Sequence, residues 1–120
     1  TEAALHNALQ RIKTIQVSEI PRMGAKYPQY LLKLREVQGI AFISELYLRA
    51  SLERKESRAG HYREDYPYRD DAYFGWLNLQ QDENRQIRFE WKPVPLDAYK
   101  HPIKRYYSDN FTFFEEKKGQ

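Results

Sequence analysis

Between Pro28 and Lys55 the chain reads PQYLLKLREVQGIAFISELYLRASLERK, with a single glycine and no proline after its first residue. This stretch limits the possible folds more than any other. Leu31, Leu34, Val37, Ala41, Ser44 and Leu48 recur at helical spacing as one stripe, and Ile40, Phe42, Ile43, Leu46 and Tyr47 widen it. The pattern predicts a long helix, buried on more than one side at its centre, with Pro28 in its first turn. Gly39 costs about 1 kcal/mol relative to alanine inside a helix. A kink or a close helix contact is therefore expected there, and a break near Gln38–Gly39 is the alternative.

The residues before this helix predict another. TEAALHNALQRIKTIQV sets Leu5, Ala8, Leu9, Ile12 and Ile15 on one face, and Thr1 followed by Glu2 suits a helix start. Pro21, Gly24 and Pro28 then interrupt it. After Lys55 the helical stripe disappears, and residues 56–84 read as ordered, tyrosine-rich irregular chain. A turn at Asp82–Asn84 leads into IRFEWK, where Ile87, Phe89 and Trp91 alternate with Arg88, Glu90 and Lys92 as in a half-buried strand. WLNLQ is its expected hairpin partner, with Trp76, Leu77 and Leu79 on the apolar face. Pro93, Pro95 and Pro102 argue against regular structure afterwards, and the aromatic, then charged, tail is expected to wrap over a surface and fray at its end.

The expected fold class is α+β, mainly α: an antiparallel bundle of two or three helices, an irregular charged segment and a small β-hairpin. Residues 1–120 are read as a single domain, with residues 1–57 its helical part and 58–120 the irregular segment, hairpin and tail. Apolar residues make up 41% of the chain and aromatics 15%, enough for one small core. Twenty basic residues against 17 acidic ones give a net charge of +3, which argues against a dedicated nucleic-acid binder. The chain has no cysteine, hence neither a disulfide framework nor a thiolate ligand or nucleophile. No apolar run is long enough to cross a bilayer, and TEAALHNALQ does not resemble a signal peptide.

The densest chemistry lies in RKESRAGHYREDYPYRDD, Arg54 to Asp71. Catalysis is one reading, with His61 as a general base. A lone histidine without a nucleophile motif is more often a hydrogen-bonded structural residue. Glu64–Asp65 and Asp70–Asp71 could bind a cation, but Arg58, Arg63 and Arg69 between them favour salt bridges. Nucleic-acid stacking is a second reading, since tyrosines alternate with basic residues here and in KRYYSDNFTFF. Acids in the same motif would repel phosphate. A third reading explains more: arginine forks pair with carboxylates and fix geometry, so these charges act as clamps at a domain boundary. There is no glycine-rich phosphate loop.

RKESRAGHYREDYPYRDDAYFGWLN resembles the signature near the C-terminal end of the flavoprotein subunits of fumarate reductase and succinate dehydrogenase. Arg54, Glu56, Ser57, Arg58, His61, Arg63, Asp65, Tyr66, Pro67, Arg69, Asp70, Asp71, Trp76 and Leu77 carry the likeness. SRAGH stands where that pattern has Ser-Arg-Gly-x-His, moving glycine to position 60, and AYFG lengthens the step to the tryptophan. The order of amphipathic helix, long helix, charged motif and strand is similar to that family's C-terminal helical domain. Related flavoproteins such as L-aspartate oxidase and adenylylsulfate reductase share parts of it.

The resemblance implies a parent that binds FAD and interconverts succinate and fumarate, passing electrons between flavin and an iron–sulfur subunit. Its flavin and substrate sites lie in preceding FAD-binding and capping domains. This chain is accordingly expected to be a detached C-terminal domain, with no catalytic, cofactor-binding or metal-binding residue of its own. Arg54, Glu56, Arg58, His61, Arg63, Asp65, Tyr66, Arg69, Asp70 and Asp71 are expected at a domain interface with those domains or the iron–sulfur subunit. Neither nucleic-acid binding nor direct membrane insertion is expected. The expected location is cytoplasmic, reaching the inner face of a membrane only through partner subunits. The rival reading is a free-standing protein-interaction module.

Overall fold

A computed structural model describes residues 1–84 and 86–95. The chain forms two compact units, one from Thr1 to Arg54 and one from Lys55 onward. The expected wrapping tail lies outside the described residues.

The first unit is a helical hairpin. Helix α1 spans Glu2–Thr14. Its N-cap is the expected Thr1, whose Oγ1 accepts from the Ala4 amide at 3.3 Å and satisfies an amide that lacks an intrahelical partner. The Thr14 hydroxyl donates back to the Gln10 carbonyl at 3.0 Å, a local bond that competes with regular helix. Beyond Thr14 the chain widens into a π-helical turn, Ile15–Glu19, and tightens into a 3-10 turn, Ile20–Arg22. Pro21 has no amide proton with which to continue the ladder.

Helix α2 spans Pro28–Glu53 without interruption. Tyr27 is extended, at φ −128° and ψ 151°, as a residue before proline must be. Helix α1 packs on α2, and the sense is antiparallel. The Gln16 amide donates to the Ala41 carbonyl at 3.2 Å, whereas Ala8 and Ile12, earlier in α1, share a cleft with Ile43 and Leu48. Leu9, Ile20 and Ala41 are the buried apolar residues of this unit.

Two expectations for α2 need correction. Its centre is not buried on more than one side, because Ile40, Ile43 and Tyr47 are 66%, 61% and 65% exposed. The reason is coverage: α1 packs on the Ala41 side of α2, and one helix covers one stripe of its neighbour. The break at Gln38–Gly39 does not occur, and no close contact explains the glycine, since a Cβ on Gly39 would meet nothing within 4 Å.

In the second unit, strands β1 (Gly75–Gln81) and β2 (Ile87–Pro93) form the expected antiparallel hairpin. Leu77 faces Trp91, Leu79 faces Phe89 and Gln81 faces Ile87. Trp76 pairs with Lys92 and therefore lies on the other face, 54% exposed. Its assignment to the apolar face fails because adjacent strand residues point to opposite sides. The ladder ends at Pro93, the first of the prolines expected to stop it. Asp82 closes the turn: its Oδ1 accepts from the Gln86 amide at 2.8 Å, and its amide donates to the Gln86 carbonyl at 2.9 Å. Gly75 is required by a close approach, since a Cβ there would lie 2.5 Å from the Lys92 carbonyl oxygen.

Candidate functional site

The charged motif folds around two buried ions of opposite sign. Glu56 is 0% exposed and Arg63 2% exposed. A buried charge is tolerated only when paired and hydrogen-bonded, and both are. Arg58 grips Glu56 with a fork: Nε donates to Oε1 at 2.9 Å, and Nη2 donates to Oε2 at 2.8 Å. The Asp70 amide adds a bond to Oε2 at 3.0 Å, and Arg58 Nη2 also donates to the Asp70 carbonyl at 3.0 Å. Glu56 and Arg58 thereby tie the start of the loop to a point fourteen residues later.

Arg63 makes a second fork, with Nε donating to Asp65 Oδ1 at 3.0 Å and Nη2 to Oδ2 at 2.6 Å. Its guanidinium sits 4.7 Å from the centre of the Tyr66 ring, a cation–π arrangement. Arg58 and Arg69 lie 5.1 Å and 5.5 Å from the centre of the Phe74 ring. Among the described residues, no buried side-chain nitrogen or oxygen lacks a partner.

Ser57 is the hub that the list of expected interface residues omits. Its Oγ accepts from the Arg63 amide at 2.8 Å and lies 2.8 Å from the Tyr66 carbonyl, to which it donates. Its amide donates to the Tyr68 carbonyl at 3.0 Å. Its place in the ESR motif was the available signal. Phe74 was also missed. It belongs to AYFG, the stretch that departs from the resembling pattern, and it supplies the ring on which two arginines rest.

The remaining residues occupy distinct places. Arg54 closes α2 in the first unit, its amide donating to the Ala50 carbonyl at 3.1 Å. His61 is half-buried and bonded through its backbone: Arg58 and His61 exchange amide–carbonyl bonds of 2.8 Å and 2.9 Å around Ala59–Gly60. Asp70 Oδ1 accepts from the Ala72 amide at 2.9 Å, and Asp71 begins the 3-10 turn Asp71–Tyr73. Tyr62 and Tyr68 are each 68% exposed.

The Arg58–His61 turn makes the SRAGH departure physical. Ala59 has φ 52°, the sole positive-φ non-glycine residue among those described, and no glycine has positive φ. A two-residue hairpin turn with positive φ only at its first central position favours glycine there. Alanine instead occupies the strained position, where the resembling pattern has glycine. Among the described residues, no group of three His, Asp or Glu is placed to hold a metal, and no helix is long and apolar enough to cross a membrane.

This is a small, mainly α unit pair whose charged loop is locked by arginine forks. Residues 1–107 match the family described as fumarate reductase flavoprotein C-term. The chain is 32% identical over 104 residues to the 8-methylmenaquinol:fumarate reductase flavoprotein subunit of Wolinella succinogenes, a match covering 84% of this chain and 16% of that protein. It is likewise 32% identical over 99 residues to the fumarate reductase flavoprotein subunit of Haemophilus influenzae, covering 82% and 16%. Similarity to the L-aspartate oxidase of Yersinia pestis is 40% over 67 residues, covering 56% and 12%. The chain belongs to the fumarate reductase flavoprotein C-terminal family. It spans about one sixth of the length of the fumarate reductase relatives it matches.

Proposed function

We propose that this chain is the structural C-terminal part of an FAD-dependent flavoprotein that interconverts succinate and fumarate. It packs against the FAD-binding and capping domains and supports electron transfer to an iron–sulfur subunit. The activity belongs to the complete, cytoplasmic assembly, and the chain alone neither holds FAD stably nor turns over substrate. The observation that carries this reading is how the motif's charges are used. Glu56, Arg58, Arg63 and Asp65 hydrogen-bond one another and the loop backbone. Such forks fix shape, and they hold the exposed Tyr62 and Tyr68 on a rigid loop, suited to contact with a neighbour.

A second reading, an L-aspartate oxidase, is favoured by the 40% identity over 67 residues. The broader coverage of the fumarate reductase subunits supports the first. Expression of the complete polypeptide with and without residues 1–120 tests the proposal. The truncated form is expected to lose its flavin absorbance on gel filtration and its turnover. Undiminished flavin retention and turnover after truncation would overturn it. Assays with succinate, fumarate and L-aspartate separate the two readings.

A further inference from the structure

Helix α2 carries a second apolar flank that its own unit leaves largely exposed, although Ile43 and Tyr47 border the cleft against Ala8 and Ile12 of α1. Leu32, Ile40, Ile43 and Tyr47 are 64%, 66%, 61% and 65% exposed. At 3.6 residues per turn they fall within an arc of about 80°, centred about 140° from Ala41, the residue buried under α1. A helix packed on the Ala41 side reaches only the edge of this arc, where Ile43 and Tyr47 border the cleft with Ala8 and Ile12. Within that arc Glu36 is the one charged residue of α2. Singly scattered apolar residues on a surface are ordinary, but four along one arc of a helix, interrupted by Glu36, mark an interaction face.

We infer that this stripe is the docking surface for the polypeptide preceding this chain in the flavoprotein, a conclusion that rests on the function proposed above. The length of the relatives argues for that occupant. The matched region is 16% of the W. succinogenes subunit, and the family it defines is a C-terminal one, so most of such a polypeptide comes before it. The occupant presents an apolar surface with a cationic or hydrogen-bonding group opposite Glu36, because a covered carboxylate needs a partner. The motif's exposed tyrosines and this helix face are thus two separate contributions to holding the domain in place.

The chain has no cysteine, so Ile43→Cys gives the 120-residue chain one thiol, at a position that is 61% exposed. Maleimide labelling is followed by mass spectrometry of the peptide containing position 43, in the 120-residue chain and in the complete flavoprotein. In the former, labelling is expected within about threefold of a free exposed thiol. In the complete flavoprotein it is expected to slow by about 100-fold or more, since labelling then waits for local opening. Ile40→Cys is expected to repeat both results. Equal rates in the two proteins would overturn the inference. So would protection already present in the 120-residue chain, with a dimer on sedimentation assigning the face to a second copy and a monomer assigning it to residues 55–120. Flavin retention after truncation sinks the functional proposal instead, and it is read independently of thiol labelling.

Discussion

The two units solve the problem of their own composition in opposite ways. In the charged loop, Glu56 and Arg63 are almost wholly buried and are answered by Arg58 and Asp65 nearby and by the Asp70 amide fourteen residues from Glu56. In the helical hairpin, Ile40, Ile43 and Tyr47 stay largely exposed although they are the kind of residue that forms cores. A polar group is satisfied by one or two correctly placed partners, which a short loop can supply. Apolar surface is satisfied only by area, and a helix half the length of its neighbour does not have enough. One unit is complete in its polar pairing, and the other leaves apolar area of α2 exposed.

That contrast can be broken by substitution. The largest effect is expected at Glu56→Ala, which strands the Arg58 guanidinium and the Asp70 amide. Removing one partner of a buried pair costs about 3–5 kcal/mol. Both tryptophans, Trp76 and Trp91, lie in the second unit, so urea unfolding followed by their fluorescence reads this unit selectively. Next comes Gly75→Ala, whose new methyl would meet the Lys92 carbonyl oxygen at 2.5 Å. Overpacking against backbone costs about 1–3 kcal/mol, visible as a lower thermal midpoint in the same signal.

Smaller changes sharpen the comparison in the opposite direction. Gly39→Ala is expected to stabilise the helical unit by about 1 kcal/mol, because the added methyl enters open space. Thermal melting followed by far-ultraviolet circular dichroism checks it, and a loss of stability would reveal a contact at that position. Ala59→Gly should raise the urea midpoint of the loop unit by about 0.4–1 kcal/mol equivalent, relieving a residue at φ 52°. An unchanged or lower midpoint would mean that the turn tolerates alanine there without strain. The smallest effect is expected for Ile40→Ser in the 120-residue chain, within about 0.5 kcal/mol of zero by urea denaturation. A cost comparable to that of Glu56→Ala would show that the helix face is already covered.

Much of this molecule was legible in its residues, for identifiable reasons. Thr1, Pro28 and the period-two run Ile87–Phe89–Trp91 announce α1, α2 and β2 through rules that act over a few residues. The arginine forks were legible as a type of contact, since interleaved arginines and carboxylates at short range pair with one another. Which arginine takes which carboxylate was not. Arg58 reaches back to Glu56, Arg63 forward to Asp65, and Arg69 stacks near Phe74, because the path of the loop sets those distances. Ser57 and Phe74 were overlooked for the same reason, being important through position and not through charge.

The sequence alone determined where the helices and the hairpin lie and that the charged segment must pair internally, because propensity, capping and strand alternation are local. It also carried the family likeness, residue by residue. Only the tertiary structure decided that Glu56 and Arg63 are the buried ions, that Trp76 faces away from Leu77, and that Ile40, Ile43 and Tyr47 stay largely exposed. Those outcomes depend on which distant surfaces meet and how much area each can cover, quantities that no local pattern of residues records.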